Sequence, residues 1–153
     1  MPFLAFLQSN PIGDALNNTE WAFPLAECFH IVFFGIAIGT IMMVNLRLLG
    51  LAFPSRTPAS LVDDTWMWTL IGLVVTTIAG LALFVSDPRM YSFNQGFRFK
   101  VLMAFPLAVI YHYAVLTTFA KRGMSHAMGF LVGLISVLLW SSVVFGGIFI
   151  AFV

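Results

Sequence analysis

The sequence predicts an all-α integral membrane protein, an up-down bundle of four transmembrane helices with a short N-terminal interfacial segment. Of its 153 residues, 61% are hydrophobic and 8% are charged, whereas soluble domains carry about 25% charged residues. Seven basic and six acidic side chains cannot cover a water-exposed surface, so most of the surface must face lipid. Four segments are also long enough to cross a bilayer, which needs roughly 20 apolar helical residues.

The first twenty residues contain no Lys or Arg. A cleavable signal peptide begins with positive charge, so this segment does not look like one. Its apolar side chains predict a segment that lies in the membrane interface, formed by Phe3, Leu4, Phe6 and Leu7. We expect this segment to be broken at Asn10-Pro11 and at Gly13.

Four predicted spans make up a single membrane domain, residues 1–153. They cover about residues 21–49, 65–85, 97–119 and 128–152. Backbone groups in lipid must satisfy their own hydrogen bonds, so the spans are helices. Their connections are short, which favours antiparallel neighbours. We expect Asp63 and Asp64 to cap the second helix and Pro106 to kink the third.

The basic residues of the loops predict the orientation. The first and third connections carry four of them: Arg47, Arg56, Lys121 and Arg122. The second connection carries three: Arg89, Arg98 and Lys100. Basic residues favour the cytoplasmic side, so we expect both termini on the periplasmic side of a bacterial inner membrane.

Two GxxxG motifs stand in the first and fourth spans, at Gly35–Gly39 and Gly129–Gly133. Small residues let membrane helices approach closely. The motifs therefore predict packing within the bundle or assembly with copies of the chain or a larger membrane complex.

A polar face marks the first span. Glu27 and Asn45 are eighteen residues apart, which is five whole helical turns, and His30 lies roughly 60° from their line. Ionisable groups at membrane depth are costly and mark functional sites. One interpretation is that Glu27 lies near the headgroups and hydrogen-bonds His30. The other is that His30 binds haem or a metal, or belongs to a proton path.

The third span adds Arg98, Lys100, Tyr111 and His112. Arg98 and His112 are fourteen residues apart and lie within about 40° of each other around the helix. Arg98 and Lys100 stand near the outer end, where long basic side chains can reach water. They are interfacial anchors in one interpretation and partners of carboxylates in the other.

The leading hypothesis is a b-type haem protein that transfers electrons near the outer face. Haem iron takes His ligands, and helical bundles build cofactor sites between facing helices. His30 is the first ligand, oriented by Glu27, and His112 the second; Arg98 and Lys100 would hold the propionates. The two imidazoles differ in predicted height by roughly 12 Å, so geometry does not favour this pair on one iron.

Two alternatives remain open. One is a non-catalytic subunit of a membrane complex or homo-oligomer. The other is a component for copper or small-solute transport, suggested by eight Met and by Cys28, which lies two residues from His30. The chain has neither a hydrolase nor a phosphate-binding motif, and no basic run suggests nucleic acid.

Four motifs resemble those of an uncharacterised family of bacterial four-helix membrane proteins, a domain of unknown function. The family pattern reads Pro-Leu-x-Glu-x-x-His, Asp-Leu-Arg-Leu-Leu-Gly, Phe-x-Ser-Asp and Phe-x-x-Lys. The matching residues are 24–30, 45–50, 84–87 and 97–100. The resemblance covers about residues 20–105 and implies the fold and the site, without an activity. Asn45 stands where the family has Asp, which argues against a proton-carrying role there.

The layout is also distantly similar to the haem-containing protoporphyrinogen oxidase and to the copper-resistance membrane domain. The shared features are a His in the first helix, here His30, and a Lys that opens the third, here Lys100. This similarity implies haem b, or alternatively copper, as the cofactor.

Overall fold

A computed structural model describes residues 6–7 and 10–152, and all regular secondary structure in them is helical. We number the helices from residue 10 onward: α1 is Pro11–Asn18, α2 is Ala22–Leu48, α3 is Pro58–Ser86, α4 is Pro88–Phe93, α5 is Gln95–Arg122 and α6 is His126–Phe149. Four of them, α2, α3, α5 and α6, are long and apolar enough to cross a membrane. The all-helical class and the four span-length helices are thus confirmed.

Helix α1 begins where the sequence predicted a break. The Asn10 side-chain oxygen accepts hydrogen bonds from the backbone N–H groups of Ile12 (3.0 Å) and Gly13 (2.9 Å), and Pro11 occupies the first turn, where its missing N–H does no harm. The predicted break at Gly13 is wrong, because Gly13 continues the helix.

Glycine is required at position 13 by the packing of α1 on α3. A Cβ atom there would lie 2.4 Å from the Val85 carbonyl oxygen. The predicted interfacial segment lies just before α1. Of its four apolar residues, Phe6 and Leu7 are helical, whereas Phe3 and Leu4 lie outside the described residues.

Helix α3 starts earlier than the predicted residue 65. Thr57 caps it by accepting a hydrogen bond from the Ser60 N–H at 3.1 Å, and Pro58 occupies its first turn. The prediction that Asp63 and Asp64 cap this helix is therefore wrong, since both lie inside it. Their carboxylates instead form ion pairs across the bundle end, Asp63 with Lys121 at 2.7 Å and Asp64 with Arg56.

The four long helices alternate in direction. Asn17 Nδ2 donates to the Ser86 carbonyl at the end of α3 (2.8 Å), and Asn94 Nδ2 donates to the Ile150 carbonyl just after α6 (2.9 Å). The end of α3 and the end of α6 therefore share one end of the bundle with α1. We call it the α1 end, and the opposite end, with the Arg56–Asp64 ion pair, the Arg56 end.

Helices α2 and α3 pack closely against each other along much of their length. A Cβ atom on Gly72 would lie 2.8 Å from the Phe33 carbonyl oxygen and the Ala37 nitrogen. One turn further along, the Thr40 and Thr69 hydroxyl oxygens lie 2.8 Å apart and form a hydrogen bond. This close pair forms one wall of a core that α5 and α6 complete. The buried members of that core are Ala37, Ile41, Leu73, Ala104, Ala108, Trp140 and Val143.

The two GxxxG motifs have different environments. Gly133 packs against α2, since a Cβ atom there would lie 3.0 Å from Leu48 Cβ and 3.3 Å from the Asn45 carbonyl oxygen. Gly35 and Gly39 face away from the bundle, because a Cβ atom on either would meet nothing within 4 Å. The α6 motif therefore serves packing inside the bundle, whereas the α2 motif does not.

Helix α5 contains two π-helical segments, Lys100–Ala104 and Tyr111–Leu116, on either side of Phe105–Ile110. Pro106 lies just after the first of them and lacks the N–H that a regular α-helix would use. A π turn widens the helix by one residue and often occurs at functional sites. Two of the three predicted site residues in α5, Lys100 and His112, each lie in one of these segments, whereas Arg98 precedes them.

Candidate functional site

The His30 imidazole has a fixed orientation at the α2–α3 contact. Its Nδ1 lies 2.8 Å from the Thr76 carbonyl oxygen and 3.1 Å from the Thr76 hydroxyl oxygen. That hydroxyl donates its hydrogen to the His30 carbonyl at 2.9 Å. Since a carbonyl oxygen only accepts, Nδ1 carries the hydrogen and donates it to Thr76.

This bonding leaves Nε2 as the nitrogen with an available lone pair in the neutral ring. No hydrogen bond to Nε2 occurs among the described residues. Two neighbours hold the ring plane: Phe34 is stacked on it with centroids 6.4 Å apart, and Gly80 leaves room for it, since a Cβ atom there would lie 3.0 Å from His30 Cε1. The imidazole therefore presents one basic nitrogen in a fixed direction.

Lys100 reaches toward the same region from α5. Its side chain runs along α6, where a Cβ atom on Gly147 would lie 3.1 Å from Nζ. Its ammonium group lies 5.6 Å from the centroid of the Phe34 ring, a cation–π distance, and Phe34 is the ring stacked on His30. Within the described part of the chain, no carboxylate pairs with it.

Glu27 makes no hydrogen bond to His30 in the structure. Its side chain is exposed, and the described residues offer it no hydrogen bond. The sequence predicts Glu27 as the hydrogen-bond partner of the imidazole, whereas the partner in the structure is Thr76. Glu27 nevertheless contributes negative charge to the α1 end, where that charge helps to raise the pKa of the Tyr91 phenol.

Tyr91 belongs to the short helix α4, outside the span-length helices, and closes the α1 end beside Glu27. Its ring contacts Phe84 and Phe97 at centroid distances of 6.4 and 5.3 Å. Burial raises the pKa of its phenol, and the negative charges of Glu27 and Asp87 raise it further. Tyr91 thus combines an aromatic contact with a hydroxyl that stays protonated at neutral pH.

Arg98 lies in the first turns of α5, also at the α1 end. Its side chain is exposed and makes neither an ion pair nor a hydrogen bond with other described residues. Asn94 fixes the start of the helix by accepting from the Phe97 N–H at 2.8 Å. Four of the five predicted site residues, namely Glu27, His30, Arg98 and Lys100, therefore lie in the half of the bundle near the α1 end.

The fifth, His112, lies elsewhere. It shares a cavity with Thr65 and Thr69 of α3, whereas His30 contacts Thr76. The seven to eleven residues of α3 between these positions correspond to about 10–16 Å along the helix axis. The structure therefore does not bring the two imidazoles to the same level, as two axial ligands of one iron would require.

The interior of the bundle contains several buried polar atoms without a hydrogen-bond partner among the described residues. They are Asn45 Oδ1, His112 Nδ1, Ser136 Oγ and Trp140 Nε1. Buried polar groups are normally hydrogen-bonded, so this part of the bundle is polar in a way that packing alone does not explain. Asn45 is fully buried, and its amide lies 3.8 Å from Met42 Sδ.

A metal at the site would be bound by single protein residues rather than by a cluster of ligands. Within the described residues, no three side chains of His, Cys, Asp or Glu come together. Cys28 is exposed on α2, away from the His30–Thr76 contact. Haem and copper remain predictions, and haem is the better match to this donor set because it needs one or two protein ligands.

Sequence reasoning does not find Thr76 or Tyr91. In the sequence Thr76 is one of several small residues on a face of the second span, and nothing links it to a residue 46 positions earlier. Tyr91 stands in a polar loop, although its position between Phe84 and Phe97 is an available signal. Thr76 meets His30 because α2 and α3 pack side by side. Tyr91 lies at the α1 end because the short helix α4 follows directly after α3.

Comparison with protein-family models, with curated proteins and with solved structures finds no match. The resemblance to the uncharacterised four-helix family therefore stays a prediction from the motifs. What the chain can do has to be argued from its own geometry.

Proposed function

We propose that this chain is a b-type haem-binding membrane protein that transfers electrons at the α1 end of the bundle. The bundle would lie in the inner membrane of a bacterium with both termini on the periplasmic side, so the site is near the outer face. His30 would bind the haem iron through Nε2. The residues that surround it bind and orient the cofactor.

The observation that supports this proposal most directly is the hydrogen bond from His30 Nδ1 to the Thr76 carbonyl. Histidines that bind metals usually donate their other ring N–H to a carbonyl or carboxylate, which fixes the tautomer and raises the basicity of the ligating nitrogen. His30 already has this arrangement. A histidine that only filled space between two helices would not need its lone pair left available.

Lys100 and Arg98 supply the charge that the cofactor's propionates need. A partly buried ammonium group without a carboxylate partner is costly, and an anion beside it would remove that cost. Arg98 stands two residues earlier on α5, exposed at the same end. When bound, the haem iron would supply one-electron chemistry, and Phe34 would keep the His30 ring in place by stacking on it.

The experiment is an absorbance spectrum of the purified protein, oxidised and reduced, after expression with added haem precursor. We expect a Soret band in the wild-type protein that is lost in His30→Ala. His126→Ala is the matched control, because His126 is exposed at the Arg56 end and its loss should leave the band intact. A colourless wild-type protein, or a His30→Ala variant with an unchanged band, would contradict the proposal.

A second candidate function, a subunit that assembles with copies of itself or with a larger complex, is favoured by the exposed α2 motif. Gly35 and Gly39 make no contact inside the bundle, and such motifs bring membrane helices together. The test is cross-linking in detergent. Replacing both glycines with Leu should abolish a dimer if this face forms it, and the fold should survive because both positions are open.

A further inference from the structure

A second site, a mostly apolar cavity that contains a buried histidine, lies between α3 and α5, in the half of the bundle nearer the Arg56 end. It is a cavity of about 20 Å³ whose floor is formed by buried side chains of both helices and of α2. The floor residues are Val44, Val62, Thr65, Thr69 and His112, and the rim residues are Trp66, Tyr113 and Thr117. We call it the His112 niche. The proposed function does not use it.

The floor of the niche has unsatisfied hydrogen-bonding capacity. His112 is only 5% exposed, and neither of its ring nitrogens has a hydrogen-bond partner in the described part of the chain. Thr65 donates its hydroxyl hydrogen to the Leu61 carbonyl at 2.7 Å, so its oxygen can still accept. The niche therefore offers an imidazole N–H that can donate to an oxygen, and a hydroxyl oxygen that can accept from an O–H group.

The niche opens sideways, toward the surface of the bundle. Trp66 is 52% and Tyr113 41% exposed, and both lie within helices long and apolar enough to cross a membrane. A ligand would thus arrive from the lipid phase rather than from water. The π-helical segment Tyr111–Leu116 sets His112 at the back of this opening, and such segments are frequent at functional sites.

We propose that the His112 niche binds the ring oxygen of a lipid-soluble quinone. A volume of about 20 Å³ accommodates one group of the size of a water molecule, so it admits a single oxygen while the quinone ring stays between Trp66 and Tyr113. Aromatic side chains with a polar edge suit such a ring. The choice of a quinone over another lipophilic oxygen compound rests on the proposed electron-transfer function.

The test is quenching of tryptophan fluorescence by a benzoquinone with a decyl tail, measured on the haem-free protein in lipid nanodiscs. We expect a saturable component above the linear quenching that any membrane-dissolved quinone causes. Trp66→Phe should remove most of that component. Trp68→Phe is the matched control, because Trp68 is equally exposed but does not line the niche, and its loss should leave the saturable component in place.

Variants of His112 test the hydrogen bond itself. His112→Leu should weaken saturable binding about tenfold, the order expected for one net hydrogen bond, whereas His112→Gln, which keeps a donor and an acceptor, should bind within a few-fold of wild type. Circular dichroism and gel filtration check that each variant folds. If His112→Leu does not fold, the Trp66→Phe and Trp68→Phe pair still decides.

Only linear quenching in the wild-type protein would overturn the inference, and so would equal binding by a folded His112→Leu. A saturable component that survives in Trp66→Phe would overturn it as well. The assay needs no haem, so a colourless protein that binds the quinone would refute the proposed function and leave the niche. A protein that binds haem but shows no saturable quinone binding would support the proposed function and refute the quinone site.

Discussion

Two histidines, His30 and His112, lie in the interior of span-length helices, and their surroundings differ. His30 has its Nδ1 bonded to Thr76 and its ring stacked on Phe34. His112 is more deeply buried and has no hydrogen bond from either nitrogen among the described residues. The first is held in one orientation by protein groups, whereas the second has its hydrogen-bonding capacity left open.

The difference comes from the helices that surround each residue. The α2–α3 contact is close because Gly72 and Gly80 allow it, so the backbone of α3 comes within hydrogen-bonding distance of the His30 ring. His112 faces α3 across a cavity instead, from a widened part of α5. A fixed imidazole suits a ligand that must hold a metal, and an unsatisfied one suits a guest that supplies the missing partner.

The largest effect should come from filling the space that His30 occupies. A Cβ atom on Gly80 would lie 3.0 Å from His30 Cε1 and 3.1 Å from Nδ1, so Gly80→Val should displace the ring from Thr76. We expect loss of most of the bound haem, measured as Soret absorbance per protein, and a free energy of unfolding lower by about 1–3 kcal/mol, as for other overpacked sites.

Gly35→Val is the matched control for Gly80→Val, because the same substitution in α2 meets nothing within 4 Å. It should leave both the haem content and the thermal unfolding near wild type. If the two variants behave alike, the packing around His30 does not fix the imidazole, and the contrast between the two histidines fails.

A smaller effect should follow from Thr76→Val, which removes the hydroxyl but keeps the carbonyl. The His30 carbonyl loses its hydrogen bond from Thr76, and Nδ1 keeps its principal acceptor. We expect a free energy of unfolding lower by about 1 kcal/mol and haem binding weakened several-fold without loss of the band. Thr77→Val, whose hydroxyl bonds only within its own helix, should change neither quantity. Complete loss of haem in Thr76→Val would show that the hydroxyl, rather than the carbonyl, fixes the ring.

The architecture is predictable because it depends on composition and length. Four apolar segments and short connections lead to four antiparallel helices with little else possible in lipid. Helix starts are predicted less well. Thr57-Pro58 is a strong signal for a helix start. The prediction nevertheless places the start at residue 65, because Asp63 and Asp64 look like capping residues. Their ion pairs with Lys121 and Arg56 explain the two acidic residues better, but these pairs cannot be seen in the sequence.

The site is predictable in its members more than in its contacts. The cost of burial selects His30, Lys100 and His112 as candidates without any structure, and counting residues indicates that the two imidazoles stand at different heights. The hydrogen-bond partner of His30 is not predictable from the sequence, because Glu27 lies one turn away on the same helix and is a plausible partner for the imidazole. The actual partner is a backbone carbonyl, and every residue has one, so residue identity carries no signal for it.

The smallest predicted effect concerns Glu27, whose role differs between the sequence interpretation and the structure. If Thr76 orients His30, Glu27→Gln should keep the haem content of wild type, whereas an orienting carboxylate would make that variant lose haem.

The substitution should still change the titration of Tyr91, because the negative charge of Glu27 raises the pKa of that phenol. Removing the charge should lower the pKa, so that phenolate absorbance appears at lower pH in Glu27→Gln. Spectrophotometric titration, with Tyr91→Phe to identify the signal, measures this shift; an unchanged titration would place Glu27 too far from Tyr91 for the charge to matter, and haem loss would return the orienting role to Glu27.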